Sequence, residues 1–420
     1  MKILALIRHY AVYALIAGHV ALKYFGLPPR QYFRFLKRAG MLLITFRHNR
    51  IIKLANGYKL QLYLPPYPSQ AFFNAMENKL LRQPPAPTSI VFSMTRACAY
   101  SCPHCYQKKE NGSDLPEPLL LQTLEGVRLA GVTYLNIEGG EPFLRPERLK
   151  AVLTALDDGC EIWVNTTGDR LTAEIIQELK MSGLNGLMIS IHSPEPRVHD
   201  QFTGVQGSFD TACRAMKLCK DHGLGLALNS VLSEQELRDG GLPHLMDLGK
   251  EMKADFIQLI HPKPCGGWLE KTDEMQADQG IQKLIVQQHL HYNSWRTTGY
   301  PSLASQVFEE RKEGVGCTAG GIDRFYINAA GEVMPCEFLQ ISFGNVSEES
   351  FETIFERMRQ AFPIPRLKWL CSTQSEAIVS LMQKNNLRVT PLPWAYTQEL
   401  IKNWTPGEPT PLYARLGIYS

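Results

Sequence analysis

Three cysteines stand in the spacing CxxxCxxC, at Cys98, Cys102 and Cys105. Thiolates are the usual protein ligands of iron–sulfur clusters, and three of them can hold three irons of a cubane. The fourth iron is then open to an exogenous ligand, as is the free position of a catalytic metal site. Two other interpretations stay open here. A zinc site normally needs a second cysteine pair, and Cys102 with Cys105 alone suits a thioredoxin-like dithiol that leaves Cys98 unused.

A second group of residues follows at the ends of predicted strands. Gly139-Gly140-Glu141-Pro142 stands at the end of the second one, where the glycines let backbone carbonyls approach a ligand and the carboxylate suits an ammonium group. Polar side chains end the next strands, at Asn165, Thr167, Ser190, His192 and Asn229. Each could be an isolated cap or turn, but their joint placement at one rim favours a binding site.

Together these residues resemble the radical S-adenosylmethionine superfamily over residues 88–262. The resemblance implies that Cys98, Cys102 and Cys105 hold a [4Fe–4S] cluster, whose open iron is chelated by S-adenosylmethionine. It implies that the segment Gly139, Gly140, Glu141 and Pro142 contacts the amino group of that cofactor. Asn165, Thr167, Ser190 and Asn229 correspond to residues that meet the rest of the cofactor. Residues 199–209 look like a segment that the family carries after the fourth strand.

The reaction that this resemblance implies is specific. An external electron donor of the flavodoxin or ferredoxin type reduces the cluster, and S-adenosylmethionine is cleaved to methionine and a 5′-deoxyadenosyl radical. That radical abstracts a substrate hydrogen, so the expected activity is of the oxidoreductase or transferase type. The protein itself must orient the substrate carbon and exclude water.

A second cysteine set has the spacing C-x13-G-x4-C from Cys317 through Gly331 to Cys336. It resembles the start of the auxiliary-cluster domain in the SPASM and shorter twitch branches of the superfamily. Only Cys371 follows, where a full SPASM domain has several more cysteines, so we expect at most one auxiliary cluster on Cys317, Cys336 and Cys371. Its open iron can bind substrate, take a non-cysteine ligand or use Cys265. The alternative is a domain that keeps the hairpin without metal.

The remaining cysteines have weaker claims. Cys265 lies in the segment PKPCGGW after the sixth predicted strand, near the expected mouth, and is the one residue considered for a direct role in catalysis. Cys160, Cys213 and Cys219 are expected to be ordinary buried residues.

The elements that position these residues alternate between strand and helix. Predicted strands cover residues 88–94, 133–139, 161–166, 186–192, 224–232 and 255–260, and predicted helices cover residues 117–130, 146–157, 172–182, 208–222 and 241–252. Short connections demand parallel pairing, so the pattern predicts an α/β fold, a partial (β/α)6 TIM-like barrel with its site at the C-terminal strand ends. The repeat is expected to end by about residue 300.

Four regions are predicted. Residues 1–85 form a basic N-terminal extension that is helical and then a β-hairpin over residues 51–64, with Asn56 and Gly57 as its two positive-φ turn residues. Residues 86–300 form the radical S-adenosylmethionine core and residues 301–375 a twitch-like auxiliary-cluster region. Two short strands are expected at residues 325–336 and a helix at residues 348–361. Residues 376–420 form a C-terminal extension, and the proline-rich end of the chain is expected to wrap the surface.

Charge is unevenly distributed along the chain. The segment from Met1 to Met76 contains eleven Lys and Arg and no Asp or Glu, which leaves 33 basic against 41 acidic side chains, a balance of −8, over residues 77–420. Such asymmetry suggests an anionic partner. Residues 10–22 are apolar apart from His19, but about 20 residues are needed to span a bilayer. Three interpretations stay open: a helix lying on an anionic membrane surface, an extension packed on the body, and a true span.

Three classes of function remain. The first is modification of a ribosomal peptide, and the second is action on a lipid, isoprenoid or other membrane-resident molecule, which the arm supports. The third is a non-catalytic cluster protein that transfers electrons. Cobalamin is not expected, because residues 1–85 contain no αβ repeat and no DxHxxG-like segment. We expect a cytoplasmic protein, because Arg8 and His9 interrupt any secretory signal. If the arm binds the membrane, the protein is peripheral on its cytoplasmic face. No nucleic-acid partner is expected.

Overall fold

The N-terminal region of this computed structural model is built from three helices and one hairpin. The structure describes residues 2–271, 275, 278–402, 404–405 and 407–419. The first elements are α1 Lys2–Lys23, α2 Pro29–Thr45, β1 Ile52–Leu54, β2 Gly57–Lys59 and α3 Gln70–Leu80. No helix in the described part of the chain is long and apolar enough to cross a membrane.

The hairpin is confirmed, but it is shorter than predicted and its turn differs. Leu54 pairs with Gly57, so the turn residues are Ala55 and Asn56, and only Gly57 has a positive φ. The physical reason is a third segment that crosses the hairpin. The backbone N–H of Tyr58 donates to the carbonyl of Tyr67 at 2.7 Å, and a Cβ on Gly57 would lie 2.2 Å from that carbonyl oxygen.

Six parallel strands form the centre of one sheet, as the sequence predicts. They are β3 Ser89–Ser93, β4 Tyr134–Glu138, β5 Glu161–Thr166, β6 Gly186–Ser190, β7 Gly225–Val231 and β8 Phe256–Ile260. The helices between and after them are α4 Glu117–Ala130, α5 Pro146–Thr154, α6 Ala173–Met181, α7 Pro196–Thr203, α8 Ser208–Asp221, α9 Glu234–Arg238, α10 Gly241–Glu251 and α11 Gln279–Tyr292. The short helices α7 and α9 and the longer helix α11 were not predicted.

The sheet continues beyond these six strands at both edges, and the repeat that was predicted to end by about residue 300 includes one further parallel strand, which ends at Ser305. Strand β9 Ser302–Ser305 pairs parallel with β8. At the other edge β10 Arg324–Ile327 pairs parallel with β3, and β11 Val333–Met334 pairs antiparallel with β10. The predicted hairpin at residues 325–336 is therefore confirmed, and it is joined directly to the strand that precedes the Cys98 loop.

The rest of the chain is more helical than predicted. It contains α12 Gln306–Glu309, α13 Phe351–Ala361, α14 Leu370–Lys384, α15 Trp394–Ile401 and α16 Pro411–Leu416. The predicted helix at residues 348–361 is confirmed as α13. The proline-rich end of the chain holds the last three helices, and Leu412, Tyr413 and Leu416 of α16 are buried in a small core with Ile322.

The N-terminal region closes one end of the barrel. Leu54 and Leu62 are buried among residues that begin neighbouring strands, such as Tyr134 and Phe256. The Lys59 ammonium forms an ion pair with Glu161, and both side chains are almost completely buried. The hairpin segment therefore plugs the N-terminal ends of the strands, and the C-terminal ends remain as the open mouth.

Candidate active site

The CxxxCxxC loop follows β3 and lies at the mouth of the barrel. Cys98 is exposed, and Cys102 and Cys105 are partly buried. All three line a cavity of about 450 Å³ together with residues from the ends of the neighbouring strands. Burial raises the pKa of the Cys102 thiol to about 11 and that of Cys105 to about 12.

The segment Gly139–Pro142 is tied to the backbone that leads into Cys98. The N–H of Gly140 donates to the carbonyl of Thr95 at 2.7 Å, and that of Glu141 donates to the carbonyl of Ala97 at 2.7 Å. A Cβ on Gly140 would lie 2.1 Å from the Ala97 oxygen. No side chain fits in that space, so the two glycines allow the loop after β4 to hold the cysteine loop in place.

The Glu141 carboxylate does not face the cavity. It is fully buried, and its oxygens accept hydrogen bonds from the N–H of Phe143, the hydroxyl of Thr166, and both the N–H and the hydroxyl of Thr167. Burial raises its pKa, and these hydrogen bonds oppose the rise. Because its oxygens already accept four hydrogen bonds, the Glu141 side chain connects the end of β5 to the loop after β4. Gly139 and Gly140, in contrast, line the cavity.

Several polar groups in the cavity wall lack a protein partner. Among the described residues, a buried side-chain oxygen without a hydrogen bond occurs at Asn136, Glu138, Asn165, Asn229 and Gln258, all of which line the cavity. Buried polar groups are normally paired, so such oxygens mark a site that a polar ligand completes. Ser190 and Thr167 line the same wall.

Glu138 was not considered from the sequence, although it directly precedes Gly139. One carboxylate oxygen accepts a hydrogen bond from the Asn165 amide at 2.8 Å, and the other has no partner in the described structure. Burial, with a smaller contribution from the Glu337 carboxylate, raises the pKa of Glu138 to about 8. A free cavity therefore holds a neutral acid at this position near pH 7.

Aromatic and imidazole rings form the opposite wall. The rings of His104 and His192 lie 4.5 Å apart between centroids, and Phe202 contacts both. The backbone N–H of His192 donates to the ring nitrogen Nδ1 of His199 at 3.1 Å, so Nδ1 of His199 carries no proton. Burial lowers the pKa of His104 and of His199 to about 4, so this wall is uncharged near pH 7.

Residues 199–209, singled out from the sequence, shape the mouth rather than lining it throughout. The Asp200 carboxylate accepts hydrogen bonds from the N–H groups of Gly207 and Phe209, which hold its pKa below the usual value. The carbonyl of Thr203 accepts a hydrogen bond from the N–H of Ser101 at 3.1 Å. This segment therefore fixes α7 against the cysteine loop.

The loop containing Cys265 is the closest link between the two cysteine sets. The N–H of Gly267 donates to the Cys105 carbonyl at 3.0 Å, and a Cβ on Gly266 would lie 2.3 Å from that oxygen. Cys265 is buried, and it lines the cavity that also contains Cys98. The two glycines of PKPCGGW thus allow close contact with the CxxxCxxC backbone.

A small second cavity contains the other cysteines. Cys317, Cys336 and Cys371 are all buried and line it, together with Lys263, Arg324 and Trp369. Lys263 and Phe338 line both cavities. Burial raises the pKa of the Cys265, Cys336 and Cys371 thiols, and the Cys371 thiol adds to the rise at Cys265 and at Cys336. Cys265 lines the first cavity and not the second, and the influence of Cys371 on its pKa connects it with the second cysteine set.

Uncompensated positive charge lies beside these thiols. The Lys263 ammonium is fully buried and has no hydrogen-bond partner in the described structure, although it lies 2.9 Å from the centroid of the Trp369 ring. Burial lowers its pKa, and the nearby thiols of Cys371 and Cys336 act in the opposite direction. A buried ammonium is costly unless it is paired, so this site fits a group that brings negative charge.

The geometry does not resemble a site for one ion. No three His, Cys, Asp or Glu side chains within the described ranges converge closely enough to hold a single metal ion. A cubane cluster interposes iron and sulfide between its thiolates and needs wider spacing. Cys160 and Cys219 are buried, as predicted, and donate to backbone carbonyls, whereas Cys213, also predicted to be buried, is only half-buried.

Comparison with known protein families identifies the class. Residues 92–237 match the model of the radical SAM superfamily, and residues 317–373 match the SPASM iron–sulfur cluster-binding domain. The chain therefore contains a radical SAM domain, which implies a [4Fe–4S] cluster and S-adenosylmethionine as cofactors, and a SPASM iron–sulfur domain. Its second domain places it in the SPASM/twitch branch of the superfamily.

Similar proteins span more than one chemistry. An AdoMet-dependent heme synthase of Methanosarcina barkeri is 24% identical over 295 residues, which cover 64% of this chain and 82% of the relative. The subtilosin biosynthesis protein AlbA of Bacillus subtilis is 26% identical over 292 residues, covering 64% and 60% respectively. Streptococcus suis SuiB, solved with its precursor peptide SuiA, has a TM-score of 0.51 at 16% identity, over 68% of this chain and 67% of that one. The last comparison supports the fold alone.

Proposed function

We propose that the thiols of Cys98, Cys102 and Cys105 hold the radical-forming cluster and that S-adenosylmethionine binds in the adjoining cavity. The observation that carries this proposal is the shared cavity wall. It combines three thiols, two glycines whose backbone is accessible, and a ring of amide and carboxyl oxygens without partners among the described residues. The amino group and the ribose hydroxyls of S-adenosylmethionine can donate hydrogen bonds to such oxygens.

Individual residues then have distinct roles. Gly139 and Gly140 offer carbonyls to the amino group, and Asn165, Thr167, Ser190 and Asn229 remain the residues proposed to contact the rest of the cofactor. Glu141 and Pro142 act as positioning residues, because the Glu141 carboxylate is occupied by its own hydrogen bonds. Bound together, the cluster and S-adenosylmethionine supply the 5′-deoxyadenosyl radical. The uncharged imidazoles of His104 and His192, which line the cavity and contact Phe202, limit water beside it.

We assign the auxiliary cluster to Cys317, Cys336 and Cys371, with Cys265 as its fourth ligand. The Cys371 thiol adds to the rise in the pKa of Cys265, after the larger effect of burial, and the second cavity contains the Lys263 ammonium, which has no hydrogen-bond partner in the described structure. Four thiolates around a cluster bring negative charge next to Lys263, whose ammonium has no hydrogen-bond partner among the described residues, whereas Arg324 is already paired with Glu310. In this arrangement Cys265 is a ligand and not a catalytic residue.

For the substrate we propose a peptide that enters from the open mouth. AlbA, which belongs to the biosynthesis of a bacteriocin, supports this class, as does the membership of the SPASM branch. The lipid hypothesis depended on the basic arm, and that arm covers the opposite end of the barrel. A protein that only transfers electrons needs no ligand in the first cavity, so that hypothesis does not explain the unpartnered oxygens there. An external electron donor and a cytoplasmic setting are part of this proposal.

A precursor of heme is the second candidate substrate. The observation that favours it is the similarity to heme synthases, which extends over 82% of the Methanosarcina barkeri relative. A tetrapyrrole that accelerates cleavage of S-adenosylmethionine and is itself altered establishes this class, whereas a tetrapyrrole without effect on the rate removes it.

The experiment uses anaerobically reconstituted full-length protein with dithionite. The wild-type chain should convert S-adenosylmethionine to 5′-deoxyadenosine, and Cys98→Ala should abolish the conversion. Cys317→Ala should lower the iron content and retain some cleavage that is uncoupled from substrate. Cys213→Ser is the matched control, since this half-buried cysteine lies on α8, outside both sets. Unchanged cleavage by the Cys98 variant contradicts the assignment.

A further inference from the structure

Helix α1 is apolar on two opposite sides. One side packs on the protein through Val12, Ile16 and Val20, which are buried against residues of α2 and α3 such as Phe35 and Phe73. The other side is exposed at positions that recur every three or four residues and therefore fall on one stripe of the helix. That stripe consists of Ile7, Tyr10, Ala11, Ala14, Leu15, Gly18 and Leu22, and the exposed Phe25 follows it in the turn after the helix.

This stripe is unusual within the protein. Of the fourteen large hydrophobic side chains exposed in the described part of the chain, seven lie within residues 7–44. The stripe continues onto α2, because the ring centroids of Phe25 and Tyr32 lie 5.8 Å apart and those of Tyr32 and Phe33 lie 5.7 Å apart. We call the exposed side chains of Ile7, Tyr10, Leu15, Leu22, Phe25 and Phe33 the outer face of the arm. A contiguous exposed apolar surface of this kind marks an interaction site.

Basic side chains border the outer face. Arg8, Lys23, Arg30, Arg34 and Lys37 are exposed, and none of them forms an ion pair with a described carboxylate. The segment from Met1 to Met76 contains no Asp or Glu. The surface is therefore apolar in the middle and positive around it, which is complementary to an anionic surface with an apolar interior.

The outer face points away from the mouth. The arm is attached through loops that precede strands: Asn78 donates to the carbonyl of Gly131 before β4 at 3.0 Å, and Arg50 donates to the carbonyl of Thr297 before β9 at 2.8 Å. The cysteine loops, in contrast, follow strands. The two surfaces thus lie at opposite ends of the barrel.

We propose that the outer face binds an anionic lipid bilayer, with α1 lying in the interface and the mouth of the barrel directed toward water. An interfacial helix buries its apolar face at the level of the headgroups, and nearby lysines and arginines strengthen binding to anionic lipid. A second copy of the chain is a poorer occupant, because it brings the same acid-free, basic rim against this one. This inference depends on the arm alone, and it adds to the proposed function that substrate reaches the mouth from the aqueous side.

The test is flotation of the full-length protein with vesicles of phosphatidylcholine alone or with phosphatidylglycerol added. We expect binding to the anionic vesicles to exceed binding to the neutral ones by about tenfold, as several basic side chains contribute. The double variant Leu22→Glu/Phe25→Glu should reduce binding to anionic vesicles to the level of neutral ones. Leu129→Glu/Met181→Glu is the matched control, with two similarly exposed apolar residues on α4 and α6, and it should bind as the wild type does.

Hydrogen exchange of the vesicle-bound protein tests the orientation. Amides of residues 2–48 should gain protection on binding, while those of residues 98–112 beside the mouth should exchange as in the free protein. The proposal is overturned if neither vesicle binds, if both double variants lose binding equally, if protection appears at the mouth, or if the outer face instead joins two copies in solution. None of these measurements requires cleavage of S-adenosylmethionine, so failure here and failure of the proposed chemistry are distinguishable.

Discussion

The two ends of the barrel differ in how their buried charged groups are paired. At the plugged end Lys59 is paired with Glu161 and also donates to the Leu64 carbonyl, and Glu161 accepts a further bond from the Trp163 indole. At the mouth, oxygens of Glu138 and Asn229 and the ammonium of Lys263 have no partner among the described residues. The comparison teaches that the buried charges at the plugged end are paired within the protein, although the Tyr134 hydroxyl there has no partner, whereas several charged and amide groups at the mouth are left for the cofactors expected in the cavities.

The largest effect should come from breaking the satisfied end. Lys59→Ala leaves the Glu161 carboxylate buried without its counter-ion, and we expect a loss of about 3–5 kcal/mol in the free energy of unfolding. Chemical denaturation measures it. The double variant Lys59→Met/Glu161→Leu should recover most of that loss, because it removes both charges and keeps side chains of similar volume. A single variant as stable as the wild type would show that the plug contributes little.

At the mouth, Gly140→Ala should disturb the position of Cys98 rather than global stability. The new Cβ meets the backbone oxygen of Ala97, which cannot move without shifting the cysteine loop. A displacement of this kind should lower the rate of S-adenosylmethionine cleavage by about 100-fold. Gly40→Ala in α2, where no atom lies within 4 Å of the new Cβ, is the control and should retain full activity. Equal rates in the two variants contradict the proposed role of the glycines.

Cys265→Ser sharpens the contrast between the two cysteine sets. We expect it to lower the iron content of a chain in which Cys98, Cys102 and Cys105 are already replaced by alanine, because only the auxiliary cluster remains there. Iron analysis and the visible spectrum report the change. Cys219→Ser, a buried cysteine outside both sets, should not alter the iron content. If both serine variants keep the same iron, the auxiliary cluster has another fourth ligand.

The smallest effect concerns the protonation of Glu138. The pKa of Glu138 is about 8 in the folded protein and 4.5 for the free side chain. Between pH 4.5 and pH 8 the folded state therefore keeps a proton on Glu138 that the unfolded state has lost. Stability should therefore fall as pH rises from about 5 to 8. Glu138→Gln keeps the bond from Asn165 and removes this contribution. At pH 5 we expect the wild type and Glu138→Gln to have equal thermal midpoints. At pH 8 the midpoint of the variant should be the higher of the two. Equal midpoints at pH 8 would contradict this prediction.

The sequence predicted more of the sheet centre than of its edges. The six strands β3–β8 alternate with helices and carry strong apolar runs, so their local pattern was sufficient. The pairing of β10 with β3 joins segments that are far apart in the sequence and leaves no local trace. The same holds for the arm: its helix was visible as an apolar run, but its place at the plugged end depends on distant contacts such as Asn78 with Gly131.

The site shows the same limit at the level of single residues. Spacing alone pointed to Cys98, Cys102 and Cys105, since ligand chemistry depends on local spacing. The family resemblance assigned the Glu141 carboxylate to the cofactor, whereas the side chain bonds Thr166 and Thr167. An acidic residue that ends a buried strand directly before two glycines is a signal that could have drawn attention to Glu138. The proposed role of Cys265 as a ligand beside Cys371 depends on tertiary packing, and from the sequence it was only one of several alternatives.

The most direct test of the central claim is electron paramagnetic resonance of the reduced protein with and without S-adenosylmethionine. The sample is the Cys317→Ala variant, which leaves the first cluster as the main species. If Cys98, Cys102 and Cys105 hold a cluster with one open iron in the cavity beside Gly139 and Gly140, adding S-adenosylmethionine should change the shape of its spectrum. The same addition should have no effect once Cys98→Ala is combined with that variant. An unchanged spectrum with Cys98 present would contradict the account.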